Sequence, residues 1–489
     1  MTRLMTRLMR HALPLLLTIL ALPAAAQVDR VDDIRFPPLA RFDIPQPQRI
    51  ELENGMVVLL LEDHELPMVE ATALVRAGSG YDPADKIGLA ELAGRVLRSG
   101  GTERMNGDQL DEWLESRAAG IEVAVAEDAA RVTLNSLKKD FPEALRIYAD
   151  VLRRPAFDAQ KLEVERNRAI ANVSRQNDDL FPILFREFQE IIYGPESPYG
   201  WTETYATLGA IRREDAVAWH RQMFHPDRTI LGLVGDFSSE EAVRWVREAF
   251  GDWPRGTGTK TAAPAWRDRV TPGIYYAEKG DIPQSGIIMG HLGVRRDHPD
   301  YYALEVVNQV LGNNSVSRLF SNIRTKKGLA YAVAGQVGTA WDHPGMAMVF
   351  MTTKVETTGA GIEALLEEIR NLKARPPSEA EVEAAKRGLL DSFIFRVDAP
   401  RRVLGQQLAA ELHGYPRDLL SRYRAGIEAV TPAQVRDAAA RHLRPEEFAI
   451  LVVGPNQGQD KPLTTFGKVT PVDITLPQPP ERLRPKSGH

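Results

Sequence analysis

Two stretches of this chain repeat one another at a nearly constant spacing, and that repeat restricts the possible folds more than any single residue does. Ile211-Arg-Arg-Glu-Asp, Phe224-His225-Pro226 and Leu231-Gly-Leu-Val-Gly235 describe a helix start, a proline turn and an apolar strand ending in glycine. Val430-Thr-Pro-Ala-Gln, Leu443-Arg444-Pro445 and Ile450-Leu-Val-Val-Gly454 describe the same unit. Pro226 and Pro445 lie 219 residues apart, and so do Gly235 and Gly454. Pro155-Ala-Phe-Asp158 and Pro376-Pro-Ser378, each ahead of a helix, repeat at 220 from Asp158 to Ser378. Two matches at almost one offset indicate duplication into two homologous halves of about 200 residues, each within the normal domain range.

Local patterns say what each half is made of. Asn54-Gly55 is a hairpin-type turn followed by the apolar run Met56–Leu61, and Val69, Ala71, Ala73 and Val75 alternate at period two. Helical stretches follow at Leu89–Leu97 and Asp108–Arg117. Ile121–Ala126 and Arg131–Leu137 read as a second hairpin around Glu127-Asp128. Phe141–Leu152 places Leu145, Tyr148 and Leu152 on one helical face, closed by Pro155. Strands interleaved with amphipathic helices predict α+β layers, helices packed on one face of a mainly antiparallel sheet. The Gly/Thr/Lys/Ala/Pro stretch Pro254–Arg269 has no apolar period and is the expected linker. Six prolines between Pro462 and Pro485 predict an extended or loosely attached tail.

The N-terminus reads as an address. Arg3, Arg7 and Arg10 precede the eleven-residue apolar stretch Ala12–Leu22, and Ala24-Ala25-Ala26 offers a cleavage site before Gln27. Eleven residues are too few to span a bilayer, which takes about 20 in a helix. No later segment approaches 18 apolar residues. The expectation is a secretory signal over residues 1–26, a polar lead over 27–44, and a soluble mature chain. Cysteine is absent, which excludes disulfides and thiolate metal sites and suits a bacterial periplasm. With 61 Lys+Arg against 66 Asp+Glu, the net charge of −5 leaves no excess of cations for a phosphate backbone, so nucleic acid is not an expected partner.

Nucleotide-loop motifs, the serine nucleophile elbow G-x-S-x-G, H-E-x-x-H and H-x-x-E-H are all missing. His220 and His225, the closest histidine pair, are five apart and fall on different helix faces. The scattered histidines read as surface or packing residues.

Leu52-Glu-Asn-Gly55-Met-Val-Val58, Gly88-Leu-Ala90 and Gly101-Thr102 resemble the start of the pitrilysin/insulinase family of zinc peptidases, which includes the mitochondrial processing peptidases. The second half resembles it more closely. Leu311-Gly-Asn-Asn-Ser-Val-Ser317-Arg318-Leu-Phe and Ile323-Arg324-Thr-Lys-Lys-Gly328-Leu-Ala-Tyr331 look like that family's C-terminal signature. Gln284-Ser285 and Ser378-Glu-Ala-Glu381 with Lys386 also fit. The resemblance runs from about residue 45 to 456. It implies two such domains forming half of a clam-shell chamber, over 45–253 and 271–456, with a linker at 254–270 and a Pro-rich tail at 457–489.

The chain departs from the family where the metal would sit. Active members follow Gly-Leu-Ala with H-x-x-E-H; here those positions read Glu91-Leu92-Ala93-Gly94-Arg95. Glu91 and Arg95 replace the two His ligands and Gly94 replaces the base. The third ligand, a Glu expected on the following long helix, is replaced at Ala171-Asn172. A guanidinium repels Zn²⁺ and has no lone pair to give it, so no cofactor is expected on this chain, and Glu91 and Arg95 are expected to form an i,i+4 ion pair. Arg324 and Tyr331 stand differently. The resemblance implies that this pair reaches into a zinc site supplied from elsewhere, where a cation and a phenol donor steady the substrate carbonyl as negative charge develops. The implied function is a zinc-free, non-catalytic subunit. It would pair with a homologous chain bearing H-x-x-E-H and bind peptide as an added strand along a sheet edge. A scaffold or assembly protein without proteolytic role is the alternative from another class, and an autonomous peptidase with an unrecognised site is a third.

Overall fold

A computed structural model describes residues 44–257 and 264–479; the expected signal and most of the polar lead lie outside the described residues, as does the middle of the expected linker. Each half is built on one sheet. In the first, β1 (Gln48–Glu51), β2 (Val57–Glu62), β3 (Met68–Val75), β4 (Gly120–Val125), β5 (Ala130–Leu137) and β6 (Thr229–Gly235) order as β1-β2-β6-β3-β5-β4. Its helices are α1 (Leu89–Ser99), α2 (Gly107–Ser116), α3 (Phe141–Arg153), α4 (Ala159–Arg175), α5 (Leu180–Tyr193), α6 (Tyr205–Ala210), α7 (Arg213–Met223) and α8 (Ser239–Phe250). In the second, β7 (Gly273–Glu278), β8 (Gln284–Leu292), β9 (Val294–Arg295), β10 (Ala332–Ala340), β11 (Pro344–Lys354), β12 (Ala449–Gly454) and β13 (Val469–Pro471) order as β13-β7-β12-β8-β11-β10-β9. Its helices are α9 (Tyr301–Leu311), α10 (Thr358–Ala374), α11 (Glu379–Phe393), α12 (Pro400–His413), α13 (Leu419–Ala429) and α14 (Pro432–His442). Among the described residues no helix is long and apolar enough to cross a membrane.

The repeat read from sequence is a repeat of structure. Strands β2-β6-β3-β5-β4 and β7-β12-β8-β11-β10 run in the same order. Each set has one parallel pair (β2/β6, β7/β12) followed by three antiparallel ones, so the sheets are mixed with antiparallel centres. Gly235 and Gly454 end equivalent strands: each carbonyl accepts from the residue just past the parallel neighbour, Asp63 N–H at 2.8 Å and Lys279 N–H at 3.0 Å. Asp158 and Ser378 are both N-caps, their side chains accepting amide hydrogen bonds from the first turns of α4 and α11. Pro226 and Pro445 each open a short 3₁₀ turn ahead of the buried strands β6 and β12.

Alternation along the strands assigns the faces. In the first half Val58, Leu60, Ala71, Ala73, Leu231 and Leu233 face inward to the layer of α1, α3 and α8. The opposite face, with Leu59, Leu61, Ile230 and Val234, is covered by α12 of the second half through Leu404 and Leu408. Reciprocally, Ile288, Leu451 and Val453 of the second sheet are covered by α5 of the first half through Ile183, Leu184 and Phe188. The two helices start 220 residues apart, so the duplicated halves have exchanged equivalent helices. Both exchanged helices sit closely over a glycine. A Cβ at Gly232 would lie 2.8 Å from Leu408 Cδ1, and one at Gly286 would lie 2.9 Å from Leu180 Cδ1. The exchanged helices also end on equivalent hairpin tips. Tyr193 Oη donates to the Pro344 carbonyl at 2.9 Å, and His413 Nε2 lies 2.8 Å from the Asp128 carboxylate.

Two expectations change. Helices cover both faces of the sheets rather than one, because each half lends a helix to the other. The tail is extended, one of the two forms expected, but it is docked as far as Ile474 rather than loose. Leu463 is buried, β13 pairs in parallel with β7, and Val472 and Ile474 pack under the second sheet. In the described part of the linker Trp266 packs against Tyr199, and Ser197 Oγ donates to the Ala265 carbonyl at 2.8 Å. Proline marks segments that form no helix, and an extended segment adds to a sheet edge without one.

Candidate functional site

Helix α1 carries the positions where the family places its metal motif. It starts at Gly88, whose φ of +97° suits glycine, and Asp82 caps it from six residues upstream. One Asp82 oxygen accepts from Gly88 N–H and the other from Ala90 N–H, both at 3.0 Å. Leu89, Leu92, Ala93, Val96 and Leu97 are buried, so Glu91 and Arg95 are left on the open side, one turn apart. Their side chains pair at 3.4 Å, as the i,i+4 spacing predicts. Gly94 is buried against the edge strand β4: a Cβ there would come within 2.4 Å of Val125 Cγ2. Asn172 and Ala171 are exposed on α4.

Those residues do not fit a zinc ion. The base position is closed by β4, one ligand position holds a cation, and that cation is engaged by the carboxylate at the other. Two carboxyls surround this turn that sequence reasoning missed. Glu203, ahead of α6, sits so close to Gly88 that a Cβ there would be 2.7 Å from its Oε1. Burial, then the charge of Glu91, raises Glu203 to about 7, with Arg95 opposing. Burial likewise raises Asp82 to about 7 against the amide hydrogen bonds it accepts. Glu203 lies far from α1 in sequence and belongs to no motif, so only the folded chain reveals it.

Arg324 and Tyr331 lie on the second half. Arg324 is in the π-helical turn Phe320–Lys326, and Tyr331 directly precedes β10, its amide bonded to the Thr352 carbonyl at 3.1 Å. The guanidinium carbon stands 4.7 Å from the centre of the Phe320 ring and 5.9 Å from that of Tyr331. Both side chains are exposed, Tyr331 at 74%. The structure thus brings the pair together, a cation near a phenol ring, and presents both to solvent.

The histidines are mostly packing groups. His220 stacks on Phe224, its Nε2 lies 2.8 Å from the Leu152 carbonyl, and burial lowers it to about 4. His298, Asp300 and His442 cluster closely enough to suit a metal, a group that sequence spacing could not show. Its atoms are already engaged. Asp300 meets His442 Nε2 at 2.7 Å and Arg441 at 2.9 Å, and the Asp300 amide donates to His298 Nδ1 at 3.0 Å.

Comparison with known proteins agrees with this reading of the fold. Residues 57–196 match the family model described as insulinase (peptidase family M16), and residues 210–389 match that of the peptidase M16 inactive domain. An uncharacterized zinc protease, YmxG of Bacillus subtilis, is 21% identical over 412 residues, covering 84% of this chain and 98% of its own. A non-peptidase homolog, YmxG of Helicobacter pylori, is 22% identical over 407 residues, covering 83% of this chain and 93% of its own. The crystal structure of a peptidase M16 inactive domain from Pseudomonas fluorescens superposes with a TM-score of 0.77 at 24% identity, covering 86% of this chain and all of that one. The duplicated α+β halves, the degenerate turn of α1 and these matches lead to one conclusion: the chain belongs to the insulinase (M16) peptidase family.

Proposed function

We propose that this chain is a zinc-free, non-catalytic subunit of a periplasmic, heterodimeric insulinase-type metallopeptidase, lending Arg324 and Tyr331 to a homologous partner that bears H-x-x-E-H. The observation that carries the reading is a contrast within the molecule. The motif turn of α1 is closed by Val125 and an Arg–Glu pair, while Arg324 and Tyr331 stand together and exposed. Groups of this kind suit one task in peptide cleavage. They bind the carbonyl oxygen more strongly as it becomes an oxyanion, through a cation and a hydroxyl fixed in advance. The attack itself belongs to the partner chain. The match to an inactive M16 domain and a relative named a non-peptidase homolog support the absence of independent activity. The Arg-rich, apolar start and the lack of cysteine support export to the periplasm.

Mixing this chain with its H-x-x-E-H partner is expected to create peptidase activity on an unstructured peptide that neither chain shows alone. Tyr331→Phe removes only the hydroxyl; pairing should survive while kcat falls by about 10²–10³. Arg324→Lys keeps the charge, loses the planar fork, and should weaken turnover as well. A complex that forms and keeps full activity with both substitutions would leave the scaffold reading in place.

A further inference from the structure

The turn that carries Arg324 is unusual, and its construction assigns roles to residues outside the proposed pair. Phe320–Lys326 is the one π-helical turn among the described residues. Lys327 N–H bonds to the Asn322 carbonyl at 3.0 Å, an i→i+5 step, and Leu329 N–H bonds to the Ile323 carbonyl at 3.1 Å. Gly328, at φ +63°, lets the chain leave the turn for Tyr331. A wide turn of this kind is rare, concentrates at functional sites, and lasts where its surroundings hold it.

The surroundings here are polar and specific. Asn322 Nδ2 donates to Glu368 Oε2 at 2.9 Å, and Lys326 Nζ donates to Asn322 Oδ1 at 2.9 Å. Asn322 is thereby tied to α10 on one side and to the end of its own turn on the other. Glu368 is only 5% exposed, on the face of α10 that also buries Leu365, Ile369 and Leu372. Arg318, just ahead of the turn, makes a two-pronged pair with Glu381 of α11 at 2.9 and 3.1 Å and donates to the Arg375 carbonyl at 2.8 Å. A carboxylate kept among leucines and held by a neutral amide is a poor device for stability alone, since an apolar side chain would fill that space at less cost. It is a good device for fixing a register. Relaxation of the turn to i→i+4 bonding would rotate the residues after Asn322 about the helix axis and carry Arg324 away from Tyr331.

We infer that Glu368 and Asn322 are positioning residues: their hydrogen bond holds the π turn in the register that keeps the Arg324 guanidinium close to the Phe320 and Tyr331 rings. The inference rests on the proposed role of Arg324 and Tyr331 for its functional meaning, while the geometric part is testable on this chain alone.

The test has two arms. In the first, the full chain with ¹⁵N-labelled arginine is examined by NMR at the Arg324 Nε–Hε group, assigned by its loss in Arg324→Lys. Ring currents from Phe320 and Tyr331 should displace this resonance from that of a solvated arginine. Glu368→Leu and Asn322→Ala should return it toward the solvated position, whereas Glu368→Gln, which still offers an oxygen to Asn322, should leave it in place. In the second arm, the same variants are mixed with the H-x-x-E-H partner and assayed on a quenched fluorescent, unstructured peptide. Glu368→Leu should lower kcat by about 10- to 100-fold with KM nearly unchanged, and Glu368→Gln should restore most of it. An Arg324 resonance unmoved in both Glu368→Leu and Asn322→Ala overturns the inference. So does a moved resonance with full turnover in a complex that Tyr331→Phe does impair. If Tyr331→Phe is without effect while the resonance moves as expected, the proposed function fails and the brace stands.

Discussion

A side chain added at position 94 meets Val125 before anything else. The restoring set Glu91→His, Gly94→Glu, Arg95→His and Asn172→Glu is therefore expected to remain free of zinc by elemental analysis, and to lose about 1–3 kcal/mol of stability from overpacking at β4. Adding Val125→Ala should relieve the collision, and zinc uptake by the four-residue set without it would show that β4 yields readily. Glu203 gives a second residue-scale expectation, with a definite sign. In the folded chain it keeps its proton to about pH 7, whereas its ordinary value is 4.5. Between those values the unfolded state binds fewer protons, so the group's contribution to stability is complete at low pH and is lost as pH rises to 7. Glu203→Gln cannot ionise and should stabilise the chain at pH 8 by about 1–3 kcal/mol while changing little at pH 4. Equal urea midpoints for both proteins at both pH values would mean that the carboxyl titrates as a solvated one.

At the scale of elements, the exchanged helices sit closely over the glycines beneath them. Gly232→Ala places a methyl 2.8 Å from Leu408 Cδ1 and 3.0 Å from Leu404 Cδ2, and should cost about 1–3 kcal/mol in urea unfolding. Leu408→Ala opens a space there, so the double variant should be less unstable than the sum of the two single ones. Additive losses would show that α12 adjusts its seat independently of β6. Most individual elements were legible beforehand, because alternation and helical period are local. The Asn54-Gly55 turn, the β4–β5 hairpin and the amphipathic helix Phe141–Arg153 are written in neighbouring residues. The exchange of α5 and α12 was not, because its determinants, Gly232 with Leu404 and Gly286 with Leu184, are long-range pairs within otherwise ordinary patterns. The π turn escaped for another reason. Its widening is set by Glu368 and Asn322 acting across space, which no pattern within Phe320–Lys326 records. At the site, Glu91, Gly94 and Arg95 could be read as a degenerate motif from their frame, yet the closure by Val125 is a matter of packing.

At the scale of the whole molecule, the purified chain is expected to hold no stoichiometric zinc and to leave unstructured peptides uncut; about one tightly bound zinc per chain that disappears with Glu91→Ala would contradict this. The exchange of helices has a further consequence, for the order in which the protein is made. The first sheet is complete once Gly235 has been synthesised, but the helix that covers its outer face, Pro400–His413, comes much later in the chain. Through that interval Leu59, Leu61, Ile230 and Val234 form a bare apolar face on a nascent half, a surface that invites aggregation or a holding chaperone. Helix Leu180–Tyr193 waits in the same way for a sheet that has yet to be made. Neither half is therefore a fragment that can be expressed by itself, and a truncation anywhere before His413 strips the cover from the sheet that was finished first.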